Sequence, residues 1–177
     1  MDCSHVQFHI HDPQCLHYQQ HEHSRDYTHG SDRPIDYDQL LNLFHVAAFW
    51  ASDRSLEDIK TAVVNSRPVV TLWDGDRLIG FARATSDGVF RATIWDVVVH
   101  PTYQGLGLGR KLVQTVLMHP HVNRAERVYL MTTNQQEFYK RIGFQENSTT
   151  TMVLFNQFEE PLPFLISQSE TQSQMDR

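Results

Sequence analysis

The stretch with the clearest chemical potential runs from Trp95 to Lys111 and joins an apolar segment, a glycine-rich loop and a helical period. Glycine alternates with leucine over residues 105–109, so that the backbone can approach a bulky group closely. From Leu108 onward, apolar residues recur at the spacing of a helix. A glycine loop that opens a helix presents unpaired N–H groups at the positive end of the helix dipole. The stretch therefore predicts a site for a phosphate-bearing ligand.

Three kinds of phosphate loop could account for this pattern. A Walker loop needs Lys followed by Ser or Thr after its last glycine, whereas Gly109 is followed by Arg-Lys-Leu. A dinucleotide fingerprint has the spacing G-x-G-x-x-G directly after the strand, whereas here the spacing is G-x-G-x-G after a five-residue insert. The segment 104–109, preceded by Val-x-x-Pro-x-Tyr, resembles the Q/R-x-x-G-x-G/A signature of the GCN5-related N-acetyltransferases (GNAT). A plain structural turn is the remaining alternative.

A second segment carries the same resemblance, because residues 138–144 are similar to the F-Y-x-x-x-G-F signature of that family. The resemblance implies an α+β fold (a three-layer α/β arrangement) with a mixed, mostly antiparallel sheet flanked by helices. It also implies that the central parallel strand pair splays apart, with a bulge in one strand, where acetyl-CoA binds. A narrower resemblance, over residues 82–87, 92–99 and 104–109, is to the serotonin N-acetyltransferases of plastids and cyanobacteria.

Periodicity and stop signals predict the elements that position these segments. Helices are expected over residues 35–51, from Ser55 to before Pro68, over 107–118, and from a cap at Thr133 or Asn134 through Ile142. Strands are expected over residues 69–73, 77–85 and 91–99, as an antiparallel meander, and over 127–131 and 149–155. The strand–helix–strand crossover predicts that 127–131 runs parallel to the central strand 91–99.

Three regions are expected along the chain. Residues 1–33 are polar and rich in histidine and predict a poorly ordered extension, with a short edge strand near 26–28. Residues 34–158 are the expected acetyltransferase domain, and 159–177 a loose tail. No metal is expected. The alternative for the extension is a metal site built from the pairs His9-x-His11 and His21-x-His23 with Cys3 or Cys15.

Charge and composition restrict the partners. The net charge of −6 argues against nucleic acid and favours a cationic substrate such as a primary amine. No apolar run approaches the roughly 18 residues of a membrane span, so no membrane partner is expected. The N-terminus has neither an apolar signal region nor an Arg-rich transit character, which predicts a cytoplasmic protein. The sequence is compatible with a homodimer as well as with a monomer.

The resemblance implies attack of a primary amine on the thioester of acetyl-CoA in a ternary complex. An alkylamine has a pKa of about 10, so a base must remove its proton. Asp96 is the candidate base, because a charge inside an otherwise apolar strand is costly unless it serves a purpose. The alternative is a structural carboxylate that bonds backbone amides. Tyr139 is the candidate acid for the leaving thiolate, with a core aromatic beside Phe138 as alternative. Trp95 either contacts the acceptor amine or has only an ordinary packing role within the protein.

The resemblance also implies which residues bind the cofactor. The pantetheine arm lies along Val97, Val98 and Val99, and the pyrophosphate against Gln104, Gly105, Leu106, Gly107, Leu108, Gly109 and Arg110. Asn134 and Tyr139 are expected near the acyl end. Asn134 lies five residues before the tyrosine where the family has seven, so a plain helix cap is an equal alternative. The outer phosphates could meet Lys111, Lys140 and Arg141, which are otherwise solvated charges.

Three functions are compatible with these motifs. The first is an arylalkylamine N-acetyltransferase that acts on serotonin or tryptamine. The second acetylates protein lysine. The third, of a different class, is a regulatory module that binds acetyl-CoA without turnover.

Overall fold

Six strands form one mixed sheet in the computed structural model, which describes residues 5–12, 27–29, 33–149 and 151–153. The strands are β1 (Val6–His11), β2 (Tyr27–His29), β3 (Val69–Asp74), β4 (Arg77–Ser86), β5 (Arg91–Val99) and β6 (Arg127–Tyr129). Their spatial order is β2-β1-β3-β4-β5-β6, with parallel pairing at β1–β2 and β5–β6 and antiparallel pairing elsewhere. The predicted mixed, mostly antiparallel sheet is confirmed.

The helices are α1 (Tyr37–Ala47), α2 (Leu56–Val64), α3 (Leu108–Met118), α4 (Pro120–Asn123) and α5 (Gln136–Lys140). Ser55 caps α2 by accepting a hydrogen bond from the Asp58 N–H, as its residue type predicts. Helix α1 ends earlier than predicted because Ala48 leaves helical dihedral angles, and Phe49–Ala51 forms a separate 3₁₀ turn. Within the described residues, no helix has the length and apolar character needed to cross a membrane.

Both faces of the sheet are covered. Residues Leu40 and Phe44 of α1 pack with Val69 and Trp73 of β3 in one buried cluster. Alternate β3 residues such as Leu72 are equally buried on the other face, where α3 packs against β3, β4 and β5. In this three-layer arrangement of helix, sheet and helix, both α1 and α3 contact β5.

The N-terminal region differs from its prediction, because β1 is an inner strand rather than part of a poorly ordered extension. It pairs with β3 along its whole length, from Val6 opposite Asp74 to His11 opposite Val69. Its sequence alternates apolar and polar residues, and Phe8 and Ile10 are buried. The alternation was missed because two of its polar positions, His9 and His11, are histidines, which resemble the histidine-rich residues around them.

Two smaller predictions also fall in this region. Strand β2 confirms the expected edge strand, one residue later than predicted. His11, which was a candidate ligand of the alternative metal site, instead shares a hydrogen bond of 2.8 Å with Thr71 Oγ1. The pair His21-x-His23 and both cysteines lie outside the described residues.

The chain divides into two compact units, residues 1–143 and 144–177. In the second unit the described residues, 144–149 and 151–153, contain neither helix nor strand. The strand predicted over 149–155 is therefore wrong at residues 149 and 151–153, and its remainder lies outside the described residues. Thr149 instead donates from its backbone N–H and its hydroxyl to Asn147 Oδ1, which closes a local turn.

Candidate active site

The middle of β5 carries a bulge that aims one carboxylate out of the regular ladder. Phe81 pairs with Val98 and Arg83 with Trp95, so two β5 residues lie opposite one residue of β4. Asp96, the first of the two, has a φ of 53°, a left-handed conformation that is uncommon outside glycine. The bulge that the family resemblance implies is thus present.

The Asp96 side chain is almost fully buried, with 5% of its surface exposed. Its Oδ1 accepts a hydrogen bond from Arg54 Nη1 at 2.9 Å, and its Oδ2 accepts one from Arg83 Nε at 2.7 Å. The partners are guanidinium groups rather than the backbone amides considered from the sequence. The role of Asp96 as a base stays a prediction.

Sequence reasoning missed both arginines. Arg83 left a usable signal, because it is the cation in the interior of apolar β4, which otherwise has only Arg77 at its first position, and the neighbouring β5 has one anion, Asp96. Two opposite charges in neighbouring buried strands indicate a pair. Arg54 left no comparable signal, since it lies in the link between α1 and α2 and only tertiary packing brings it to β5.

The parallel strands β5 and β6 separate just before the bulge. Their register pairs end at Thr93 and Tyr129, because β6 stops two residues earlier than predicted. Beyond that point a cleft of about 420 Å³ opens. It is lined by Phe49, Trp50, Arg54, Ile94, Trp95, Asp96, Val97, Leu130, Met131, Thr132, Thr133, Asn134, Gln135 and Tyr139. The splayed pair predicted for the central strands is confirmed.

The edge of β5 that β6 leaves is the segment predicted for the pantetheine arm. Val97 is the second residue of the bulge, Val98 and Val99 follow it, and β6 pairs with none of the three. The Val99 carbonyl accepts a hydrogen bond from Gln104 Nε2 at 2.9 Å, so this glutamine side chain braces the turn. A strand edge of this kind can pair with an extended, amide-bearing chain.

The glycine loop begins α3 in the way that the sequence predicts. Gly105 and Gly107 have φ values of 76° and 79°, and no heavy atom lies within 4 Å of a Cβ built at either. Their left-handed dihedral angles favour glycine, and the space beside them is open. The first turn of α3 contains no acidic residue, and Arg110 and Lys111 are exposed on it. This arrangement fits an anionic group such as a pyrophosphate.

Side chains from β3 and β4 hold the turn before this loop in place. The Tyr103 hydroxyl donates to Asp74 Oδ2, and this hydrogen bond raises the pKa of the tyrosine. Arg77 Nη2 donates to His100 Nε2 at 2.8 Å, while burial and that guanidinium lower the pKa of His100. The neutral imidazole can therefore accept this bond at neutral pH. The loop is positioned before any ligand arrives.

Tyr139, on α5, lines the cleft together with Asp96. Burial raises the pKa of Tyr139, so the phenol keeps its proton at neutral pH. Its ring also packs edge-on against Phe138 at 4.9 Å between centroids, so the packing alternative and the cleft position are compatible.

The other predicted residues on this side are exposed. Asn134 lines the cleft, but neither it nor Thr133 caps α5, because the N-cap is Gln135, which makes no side-chain cap bond. That cap prediction is wrong. Lys140 pairs with Glu137 at 3.0 Å, and Arg141 is exposed.

Aromatic side chains form much of the cleft wall. Trp95 is held by a hydrogen bond from its Nε1 to Thr85 Oγ1 at 2.9 Å. Phe49 and Trp50, in the 3₁₀ turn after α1, contact each other edge-on at 5.1 Å and stay 74% and 48% exposed. They were predicted within a longer helix, and the early end of α1 is what brings them to the cleft.

Comparisons with known proteins agree with this geometry. The chain is 45% identical over 100 residues to the uncharacterized N-acetyltransferase ycf52-like of Prochlorococcus marinus, covering 54% of this chain and 53% of that protein. It is 47% identical over 70 residues to histone acetyltransferase TAP1 of Glycine max, covering 39% and 30%. The chain thus spans about half the length, or less, of these curated relatives.

A solved structure and a family model extend the comparison. The acetyltransferase, GNAT family protein SP0256 of Streptococcus pneumoniae, aligns with a TM-score of 0.58 at 25% identity, covering 70% of this chain and 93% of that one. The sequence model of the acetyltransferase (GNAT) family matches residues 34–144, which include the bulge, the glycine loop and α5. With its splayed β5–β6 pair and its glycine-opened helix, this chain belongs to the acetyltransferase (GNAT) family.

Proposed function

We propose that the protein is an acetyl-CoA-dependent N-acetyltransferase that moves the acetyl group directly to a primary amine. One observation carries the proposal: the cleft-lining residues of β5, the unpaired edge of that strand and the glycine N-terminus of α3 follow one another along the chain. An extended anionic carrier can therefore place its phosphates at the helix and its acyl group in the cleft.

The residues of the chain then have distinct roles. Backbone N–H groups of the loop 104–110 bind the pyrophosphate, and Val97, Val98 and Val99 bind the amides of the pantetheine arm. Asp96 takes a proton from the attacking amine as its nitrogen bonds to the acetyl carbon. Tyr139 donates its phenolic proton to the sulfur as the carbon–sulfur bond breaks. No acyl-enzyme is needed, because the amine and the thioester meet in the same cleft.

We propose an arylalkylamine, of the serotonin or tryptamine type, as the acceptor. Besides Tyr139, the aromatic side chains of Phe49, Trp50 and Trp95 line the cleft and suit an indole or phenyl ring. Protein lysine is the second candidate, favoured by the similarity to the soybean histone acetyltransferase and by the exposure of Phe49 at the cleft. The third, an acetyl-CoA-binding module without turnover, predicts cofactor binding and no transfer. The cytoplasmic location and a homodimer stay predictions.

The test supplies acetyl-CoA with tryptamine, with a lysine peptide or with no acceptor, and measures release of the free CoA thiol. We expect the fastest release with tryptamine and a fall in kcat/KM of about 10²- to 10⁴-fold in Asp96→Asn. Asp53→Asn is the matched control, since it removes an exposed carboxylate from the neighbouring link. Release with the peptide alone would select the second candidate. Binding of acetyl-CoA without release under any condition would select the third.

A further inference from the structure

The acceptor cleft has an unusual charge balance for an enzyme that binds an amine. An alkylamine is mostly an ammonium ion at neutral pH, so it needs a carboxylate partner when it leaves water. Among the described residues that line the cleft, the only carboxylate is Asp96 and the only cation is Arg54. Both oxygens of Asp96 already accept a hydrogen bond from a guanidinium, Oδ1 from Arg54 and Oδ2 from Arg83.

The two arginines on Asp96 are held very differently. Arg83 lies on β4, is 13% exposed, donates also to Ser66 Oγ at 3.0 Å, and lies 5.7 Å from the Trp95 ring centroid. Arg54 lies in the link between α1 and α2 and is 34% exposed. Within the described residues its side chain makes one hydrogen bond, to Asp96, and a looser contact with the Phe44 ring at 5.7 Å. Arg83 is therefore the more firmly held partner of Asp96, and Arg54 is the less firmly held one.

A place for the displaced guanidinium lies next to it. Arg54 and Asp96 also border a second cavity of about 170 Å³, which is lined by Asp58 of α2. The Asp58 carboxylate offers a new partner to the guanidinium in that cavity. Movement of Arg54 from one cavity wall to the other would leave Oδ1 of Asp96 open to the larger cleft.

We propose that Arg54 occupies the binding position of the acceptor ammonium and that the amine displaces it from Asp96 Oδ1. The inference rests on the proposed function and names the charge that the acceptor must bring. One cation replaces another, so the buried carboxylate keeps two positive partners throughout. The site thereby favours a protonated amine over a neutral molecule of the same shape, and Arg54 is a specificity-determining residue.

The test measures binding of 2-phenylethylamine and of its neutral analogue 2-phenylethanol by calorimetry, with the full chain and CoA present. In Arg54→Met the competitor is gone, so Kd and KM for the amine should fall about 3- to 10-fold. Arg54→Lys keeps an exchangeable cation and should stay near the wild-type values. The Kd of the alcohol and the KM of acetyl-CoA should change less than about twofold. Lys60→Met is the matched control, because it removes an exposed cation from α2 away from the cleft.

The sign of the change separates exchange from a structural role. If Arg54 merely supported the cleft, Arg54→Met would weaken amine binding, and that result would overturn the proposal. Equal tightening of the alcohol would overturn it too. Arg54→Gln, checked by thermal melting, replaces the methionine variant if that one does not fold. If the wild type acetylates amines but neither variant binds them more tightly, only this inference is wrong. If the wild type neither binds nor acetylates an amine, the proposed function is wrong as well.

Discussion

At the scale of single residues, the site depends on a buried carboxylate that two guanidinium groups contact. A left-handed, non-glycine residue costs on the order of 1 kcal/mol, and an unpaired buried carboxylate costs several more. Asp96 can be buried in this conformation only because Arg54 and Arg83, from two different parts of the chain, form ion pairs with it. Its conformation and its ion pairs therefore stabilise each other.

Tyr139 gives the prediction that belongs to this scale. Because burial raises its pKa, the phenol stays protonated at neutral pH and can donate to a leaving thiolate. We expect Tyr139→Phe to lower kcat about 10- to 100-fold while the KM of acetyl-CoA changes little. Initial rates of thiol release measure both quantities. Tyr37→Phe, on the first turn of α1, is the control, and a Tyr139→Phe enzyme with wild-type kcat would remove the acid role.

At the scale of elements, the turn and glycine loop between β5 and α3 form a preorganised unit. Tyr103 is hydrogen-bonded to Asp74 of β3, and Gln104 is hydrogen-bonded to the end of β5. His100 is hydrogen-bonded to Arg77 of β4. Gly107 then opens α3 with a left-handed φ. A ligand that meets the helix N-terminus therefore finds the N–H groups already aligned, and binding requires little further ordering.

The glycines of this loop can be tested individually. In Gly107→Ala, the positive φ should cost about 1–2 kcal/mol, which lowers Tm and weakens acetyl-CoA binding in calorimetry. Gly109→Ala is the matched stability control, because this residue is helical and its new Cβ would lie at an ordinary 3.5 Å from the Phe138 ring. Its Tm should stay level or rise, since alanine is the better helix former. A fall in Tm in Gly109→Ala but not in Gly107→Ala would contradict this account.

At the scale of the whole molecule, the N-terminal segment belongs to the folded unit. Beyond the end of β1, the buried Asp12 carboxylate accepts from Arg67 Nε at 2.8 Å and lies 3.0 Å from His119 Nε2. His119 Nδ1 accepts from the His121 N–H, so in the neutral ring Nε2 carries the proton and donates to Asp12. These contacts join β1 to the residues before β3 and to the junction of α3 and α4.

The pH dependence of folding tests this attachment. Burial is the main cause that lowers the pKa of His11 to about 4 from an ordinary 6.5. Thr71 Oγ1 accepts a hydrogen bond from Trp73 Nε1 and shares a second one with His11 Nε2, so the imidazole is held in the sheet beside buried groups. The unfolded chain binds the extra proton between pH 6.5 and 4, so the stabilisation is complete above 6.5 and is lost as pH falls towards 4.

We therefore expect the free energy of unfolding, measured in urea, to fall between pH 7 and pH 5. Solvent screening limits the His11 contribution to about 1 kcal/mol. His9 and His119, whose pKa values are also lowered by burial, add to the slope. His11→Gln should therefore flatten the pH dependence in part. An unchanged slope in that variant would show that His11 does not contribute.

The sequence by itself determined the parts of this protein whose physics is local. Three strands, the glycine loop and the helix after it follow from side-chain alternation, turn residues and the conformational freedom of Gly105 and Gly107, which act within a few residues. Those same local patterns pointed to a phosphate site and to Asp96, whereas Tyr139 was predicted from the family resemblance of residues 138–144.

Only the tertiary structure decided which groups meet. Arg54 reaches Asp96 across 42 positions of sequence, and Phe49 and Trp50 reach the cleft because α1 ends early. Strand β1 pairs along its whole length with β3, which lies some 60 residues later in the chain, so its short alternation gained meaning only from that partner. Long-range ion pairs and strand pairing depend on the positions of distant elements, and no local pattern in a single sequence records those positions.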